Sequence, residues 1–185
     1  GLEGCRRLAN PRLLSALLIN RVVALTELGR AREALPDVHE VRAIPTDEQG
    51  RGRNESCFEI MAIAALRAGE VELGRELVTA AIAAHHEPVA DEAHEVLQAQ
   101  ALLARADGDG ARAGALLEPL RARLFSEADD GLSLRVQGNG LQLLADLAEE
   151  QGRVADALAA LRAWQRCQAR RSVLASRARY QAAAL

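Results

Sequence analysis

His85, His86, Glu87, Asp91 and His94 fall within ten residues and offer the imidazole nitrogens and carboxylates that zinc accepts. Adjacent His85 and His86 point about 100° apart on a helix, and Pro88 breaks the register to His94, so the group reads as a loop and not as a metal site. His39, with Glu40 beside it, stands alone on a helix and reads as a solvated or partly buried histidine, not a base. Asp129-Asp130 and Glu149-Glu150 pair carboxylates as acid–base chemistry requires, yet both lie at helix ends or loops, where acids are ordinary surface residues. Gly108-Asp109-Gly110 and Gly138-Asn139-Gly140 do not read as phosphate loops, because neither follows a strand and the chain has no Lys to reach a phosphate. There is no serine nucleophile motif. No catalytic residue, cofactor or metal is expected.

The elements that carry these residues are helices. Aromatic residues make up 2% of the 185, β-branched runs are few, and Ala, Leu, Glu and Arg dominate, which predicts an all-α fold. A hydrophobic content of 49% supplies a core without staples. Cys5, Cys57 and Cys167 are odd in number, far apart and form no CxxC pair, so neither a disulfide framework nor a zinc knuckle is expected. The apolar stretch Leu13–Ile19 is too short for a bilayer span, and residues 1–10 lack the apolar core of a secretory signal, so a soluble, cytoplasmic protein with no membrane partner is expected. All 23 basic residues are Arg, which reads as the mark of a GC-rich genome. Asp156 is the last acid, and six arginines follow it in a chain of net charge −3, so a basic tail on an acidic body suggests a boundary with something else. Those arginines fall around their helix instead of along one stripe, and the whole chain is acidic, so nucleic acid is not expected as a partner.

Gly29, Gly69, Gly108 and Gly152 recur at intervals of 40, 39 and 44 residues, and each is followed five residues later by Ala34, Gly74, Ala113 or Ala157. A glycine ending one amphipathic helix, then a small residue where the next helix crosses closely over it, predicts an array of helical hairpins. The hairpins are expected at about 11–45, 54–87, 89–125 and 131–169. Within them the helices run through Leu14–Leu28 and Ala31–Ile44, Phe58–Leu66 and Leu73–Ile82, Val89–Leu103 and Leu116–Leu124, and Leu141–Glu150 with a helix starting near Arg153. Pro119 should bend the sixth of these. From Arg153 to Leu185 there is neither Gly nor Pro, so one helix of roughly 50 Å can form.

Glu27-Leu28-Gly29-Arg30-Ala31-Arg32-Glu33-Ala34-Leu35 and Glu150-Gln151-Gly152-Arg153-Val154-Ala155-Asp156-Ala157-Leu158 resemble the "L-G-x-x-x-x-A-L" crossing of tetratricopeptide repeats. Arg67-Ala68-Gly69-Glu70-Val71-Glu72-Leu73-Gly74 resembles it less closely, and Leu and Ala replace most of the family's large aromatics. The segment Arg170–Gln181, with its "R-x-x-x-x-L-x-x-x-Y" form, is similar to connectors that leave such modules in bacterial signalling proteins and enter GGDEF or histidine-kinase output domains. The resemblance implies a right-handed α-solenoid over residues 1–169, with 170–185 as a connector helix to an output domain.

The resemblance further implies that the first helix of each hairpin lines a concave groove. Counting back from the glycines, that face holds Asn20, Val23 and Glu27, then Glu59, Ile60, Ile63 and Arg67. Gln98, Leu102 and Arg105 follow, then Gln142, Leu143 and Asp146. Polar side chains interleaved with Ile and Leu suit a protein, peptide or small-ligand groove. Asn20 matches the asparagine with which similar clamps hold peptide main chain, whereas the family's basic carboxylate clamp is not reproduced. The expected function is a non-catalytic sensory module controlling an attached output such as a diguanylate cyclase. The alternatives are a free-standing adaptor, with a homodimer seam through Leu174, Ala178, Gln181 and Leu185, and a fragment of a transcription regulator.

Overall fold

The computed structural model describes residues 10–45, 57–84, 90–127 and 132–183, and the chain is all-α, with no strand among these residues. The helices are α1 (Pro11–Glu27), α2 (Ala31–Ala43), α3 (Phe58–Ala68), α4 (Val71–Ala84) and α5 (Ala90–Ala106). After them come α6 (Gly110–Leu117), a single 3-10 turn at Glu118–Leu120, α7 (Arg121–Phe125), α8 (Leu134–Glu150) and α9 (Val154–Ala183).

The four glycines adopt left-handed backbone, with φ of +72° at Gly29, +88° at Gly69, +80° at Gly108 and +69° at Gly152. In each case the next amide reaches back five residues. Arg30 bonds the carbonyl of Leu25 at 2.8 Å, Glu70 that of Ala65 at 2.9 Å, Asp109 that of Ala104 at 2.8 Å and Arg153 that of Ala148 at 2.8 Å. This bond satisfies a carbonyl that the helix end leaves over, and only glycine takes the required φ without steric cost. No atom lies within 4 Å of where a Cβ would stand on Gly108. Gly108→Ala is therefore expected to cost about 1 kcal/mol through backbone strain alone, read as a lower denaturation midpoint; an unchanged midpoint would mean the turn relaxes out of the left-handed region.

The small residues lie at close crossings. Ala34 and Ala113 are fully buried, Ala157 nearly so, and a Cβ on Gly74 would fall on the Leu66 side chain of α3. Ala34→Leu should push α1 and α2 apart and lower stability by ~1–3 kcal/mol. An unaltered melting curve would show that the crossing is loose.

Helix α1 packs on α2, α3 on α4, α5 on α6, and α8 on α9, and successive pairs are joined because α3 also touches α1, α2 and α5, while α5 touches α4 and α8. Two apolar clusters result. One is built from residues such as Leu18, Val38, Met61 and Leu77, the other from Leu117, Leu124, Leu141 and Leu147. Helix α5 serves both, giving Val96 and Ala99 to the first and Ala101 and Ala104 to the second.

Two boundaries differ from the sequence expectation. Pro119 does more than bend a helix: the segment breaks into α6, a 3-10 turn and α7, because proline lacks the amide that would continue the ladder. Helix α8 begins at Leu134 and not at Leu141, capped by the Ser133 hydroxyl, which accepts from the Val136 amide at 3.3 Å. Gly138 and Gly140 are thus helical, and a Cβ on Gly140 would meet Leu124 Cδ2 at 2.6 Å and Gln98 Nε2 at 2.9 Å. The last helix runs unbroken to Ala183, as the lack of Gly and Pro predicts, packs along α8, and reaches α1 where Arg171 Nη2 lies 2.6 Å from Glu27 Oε2, 144 residues away.

Candidate functional site

The approach of α9 to the end of α1 completes the site. Leu18, Ile19 and Val22 fix α1 in the core, which brings its last residues, Thr26 and Glu27, to one end of the array. Arg67 closes α3 on the same side, Arg105 closes α5, and Asn139, Gln142 and Asp146 stand on α8. Helix α9 supplies Trp164, Gln168 and Arg171, at spacings of four and three that place them on one face. These residues, with Leu28, Gly29, Ala31, Leu102 and Leu143, enclose a cavity of about 420 Å³. That lies within the range of roughly 300–1,000 Å³ typical of small-molecule sites.

The charges around it are unevenly matched. Arg171 donates to Glu27. Arg105 donates from Nη1 to Asp146 at 2.9 Å and from Nη2 to Glu150 at 2.7 Å. Burial alone would pull the Arg105 pKa down, but the bonds to Glu150 and Asp146 outweigh it and leave it raised. Arg67 has no such partner. Among the described residues its one hydrogen bond runs from Nη2 to the neutral amide oxygen of Asn139 at 3.2 Å, and no carboxylate comes within ion-pair reach. Desolvation is the dominant influence there and holds its pKa below the usual arginine value, with Asp146 and Glu27 opposing from a distance and Arg105 adding to the depression.

Beside the cavity lies a recess of about 10 Å³, the space of one water, between α1 and α3. Val23, Ile60 and Ile63 line it with Thr26, Glu27, Arg135 and Asn139. Thr26 is only 7% exposed, and its hydroxyl, like Oε1 of Glu27, makes no hydrogen bond among the described residues.

Of the residues expected on a concave face, Glu27, Arg67, Leu102, Arg105, Gln142, Leu143 and Asp146 are brought together around the cavity. Val23, Ile60 and Ile63 line the recess beside it, and three join neither space. Asn20 is exposed away from both spaces, Glu59 is buried, and Gln98 is buried with Nε2 donating to the Val136 carbonyl at 2.8 Å, which makes it a strut between α5 and α8. Sequence reasoning missed Thr26, Asn139, Trp164, Gln168 and Arg171. The last three carried a signal in their common helical face, but nothing local said that this face meets α1.

The remaining candidates are quickly placed. His85, His86 and Glu87 lie outside the described residues, as do Asp129 and Asp130 and the side chain of Asp91. His94 is buried with its Nε2 accepting from Arg123 Nη1 at 2.8 Å, a contact between α5 and α7. His39 is exposed. Glu150 is held by Arg105. No cluster able to ligate a metal occurs among the described residues, and no described helix is long and apolar enough to cross a membrane. Cys57 and Cys167 are both buried; Cys167 donates to the Leu134 carbonyl at 3.2 Å, and burial pushes its pKa up against the pull of Arg171 and Arg170. The arginines after Asp156 do not form a uniformly free basic tail, because Arg171 is paired with Glu27 and Arg166 lies 2.7 Å from Glu127.

Comparison of the chain with protein-family models, with curated proteins and with solved structures finds no match.

Proposed function

We propose that the chain is a non-catalytic binding module built as a right-handed solenoid of tetratricopeptide-like hairpins, in which ligand in this cavity is sensed by α9 and the signal is passed along that helix to an attached output domain of the GGDEF type. The observation that carries this reading is that one helix both walls the cavity, through Trp164, Gln168 and Arg171, and continues for a further twelve residues to Ala183. Four left-handed glycine turns with the same reach-back bond, each followed by a small residue at a crossing, support the repeat architecture. The pair Glu27–Arg171 bridges the first hairpin to the last helix, which favours a compact ligand over a peptide lying along an open trough.

Trp164 is the sole tryptophan and lines the cavity, so its fluorescence reports occupancy, while a spin label at exposed Ser176 reports the outer part of α9. Small-molecule fractions of a bacterial extract should include one that shifts the Trp164 emission and the Ser176 label mobility together. Emission that changes while the label stays constant would remove the signalling role and leave a simple binding protein. A self-associating adaptor is the second reading, favoured by Val173 and Leu174, which stand 51% and 54% exposed on α9. Sedimentation discriminates, since a strict monomer at high concentration excludes it.

A further inference from the structure

Arg67 is the uncommitted charge in the cavity. Three guanidinium groups line it, and two of them are satisfied by Glu27 and by Asp146 with Glu150. The third offers five N–H donors and uses one of them, at 3.2 Å, on a neutral amide. Arg105 takes up both Asp146 and Glu150 and Arg171 takes up Glu27, so Arg67 is left, among the described residues, as a half-buried guanidinium with no carboxylate on it. A desolvated, unpaired cation is costly to keep, and a guanidinium is shaped to receive a carboxylate through two parallel hydrogen bonds.

We infer that Arg67 is the anchor of a binding site for a small organic acid of net charge −1, its carboxylate on the guanidinium and its body against Trp164, Gln142 and Gln168. One guanidinium without a carboxylate selects a monoanion, since a second negative charge would have to displace Glu27, Asp146 or Glu150 from its arginine. The cavity size limits the body to that of a metabolite. The amides of Gln142, Gln168 and Asn139 favour an acid that also carries hydroxyl, amide or amino groups over a plain fatty acid. This inference rests on the ligand-binding reading above and specifies its chemistry.

The test uses monoanions matched with neutral amides of nearly the same shape: lactate and lactamide, mandelate and mandelamide, glutamate and glutamine. Binding is followed by Trp164 fluorescence and by the Arg67 Nε–Hε resonance. At least one acid should bind saturably and shift the Arg67 resonance, with its amide about ten- to a hundredfold weaker. Arg67→Gln should remove that preference, and Arg67→Lys should retain part of it. With no acid present, Arg67→Met should raise the melting temperature, because it deletes an unpaired charge; an arginine with a merely structural role would destabilise on removal. Equal binding of acid and amide, with the Ser176 label still responding, would overturn the anion site and leave the sensory reading standing. An unmoved Arg67 resonance across the series, or Arg67→Gln binding acids as the wild type does, would also overturn it.

Discussion

Leu124→Ala is expected to lower the unfolding free energy by about 3 kcal/mol, and the melting temperature by roughly 10 °C, when read by guanidinium and thermal denaturation. Leu124 is fully buried at the end of α7, where the chain returns from the Pro119 break. Its side chain fills the notch over Gly140 on α8, and its carbonyl accepts from Gln137 Nε2 at 2.9 Å, with the Ser126 carbonyl accepting from the same group at 2.6 Å. The backbone is thus pinned while the side chain is removed, so the hole cannot collapse and the loss falls in the middle of the usual range. Gly140→Ala alone should cost ~1–3 kcal/mol by overpacking, because its new Cβ meets both Leu124 and Gln98. Combined, the two changes should cost less than their sum by about 1 kcal/mol, since truncating Leu124 removes one of the two clashes. Strict additivity would show that the notch is not where these helices meet.

Arg21→Ala should cost about 2–4 kcal/mol, although Arg21 is nearly half exposed and a surface ion pair contributes less than about 1 kcal/mol. The asymmetry lies in the partner. Asp37 on α2 is 1% exposed and takes two bonds of 2.6 Å from the Arg21 guanidinium, so removing the arginine strands a carboxylate in the core between α1 and α2. Replacing both, as Arg21→Met with Asp37→Leu, should return stability to within about 1 kcal/mol of the wild type, because no charge is then left to solvate. Denaturant midpoints of the two variants and the wild type decide the matter. A single variant as stable as the double would mean that water reaches Asp37 freely.

The all-helical class and the turns were legible because their causes are local: a glycine takes the left-handed region whatever the rest of the chain does. The same locality explains the error at the start of α8. Gly138-Asn139-Gly140 has the composition of a loop, and only the long-range fact that Leu124 and Gln98 press on Gly140 accounts for a glycine inside a helix. The Gln98 position was legible as a helix face but not as a buried strut, since that depends on the Val136 carbonyl of another hairpin.

The site was half legible for a related reason. Periodicity located the α3, α5 and α8 residues that meet around the cavity, but no pattern within α9 announces contact with α1. The arginines after Asp156 read as an outward-facing tail because their acids, Glu27 and Glu127, lie far away in sequence. Arg67 was one polar residue among many on a face. What sets it apart is the lack of an acid partner beside it, which only the three-dimensional arrangement of its neighbours shows.

The approach of α9 to the end of α1, held by the Arg171–Glu27 pair, is what completes the chamber, and paramagnetic broadening tests it directly. A nitroxide on Leu28→Cys, a position 68% exposed and adjacent to Glu27, in a background with the native cysteines replaced by alanine, should strongly broaden the α9 amides around Gln168 and Arg171. Sharp signals there would place the last helix away from α1 and contradict the chamber, and with it the site at Arg67.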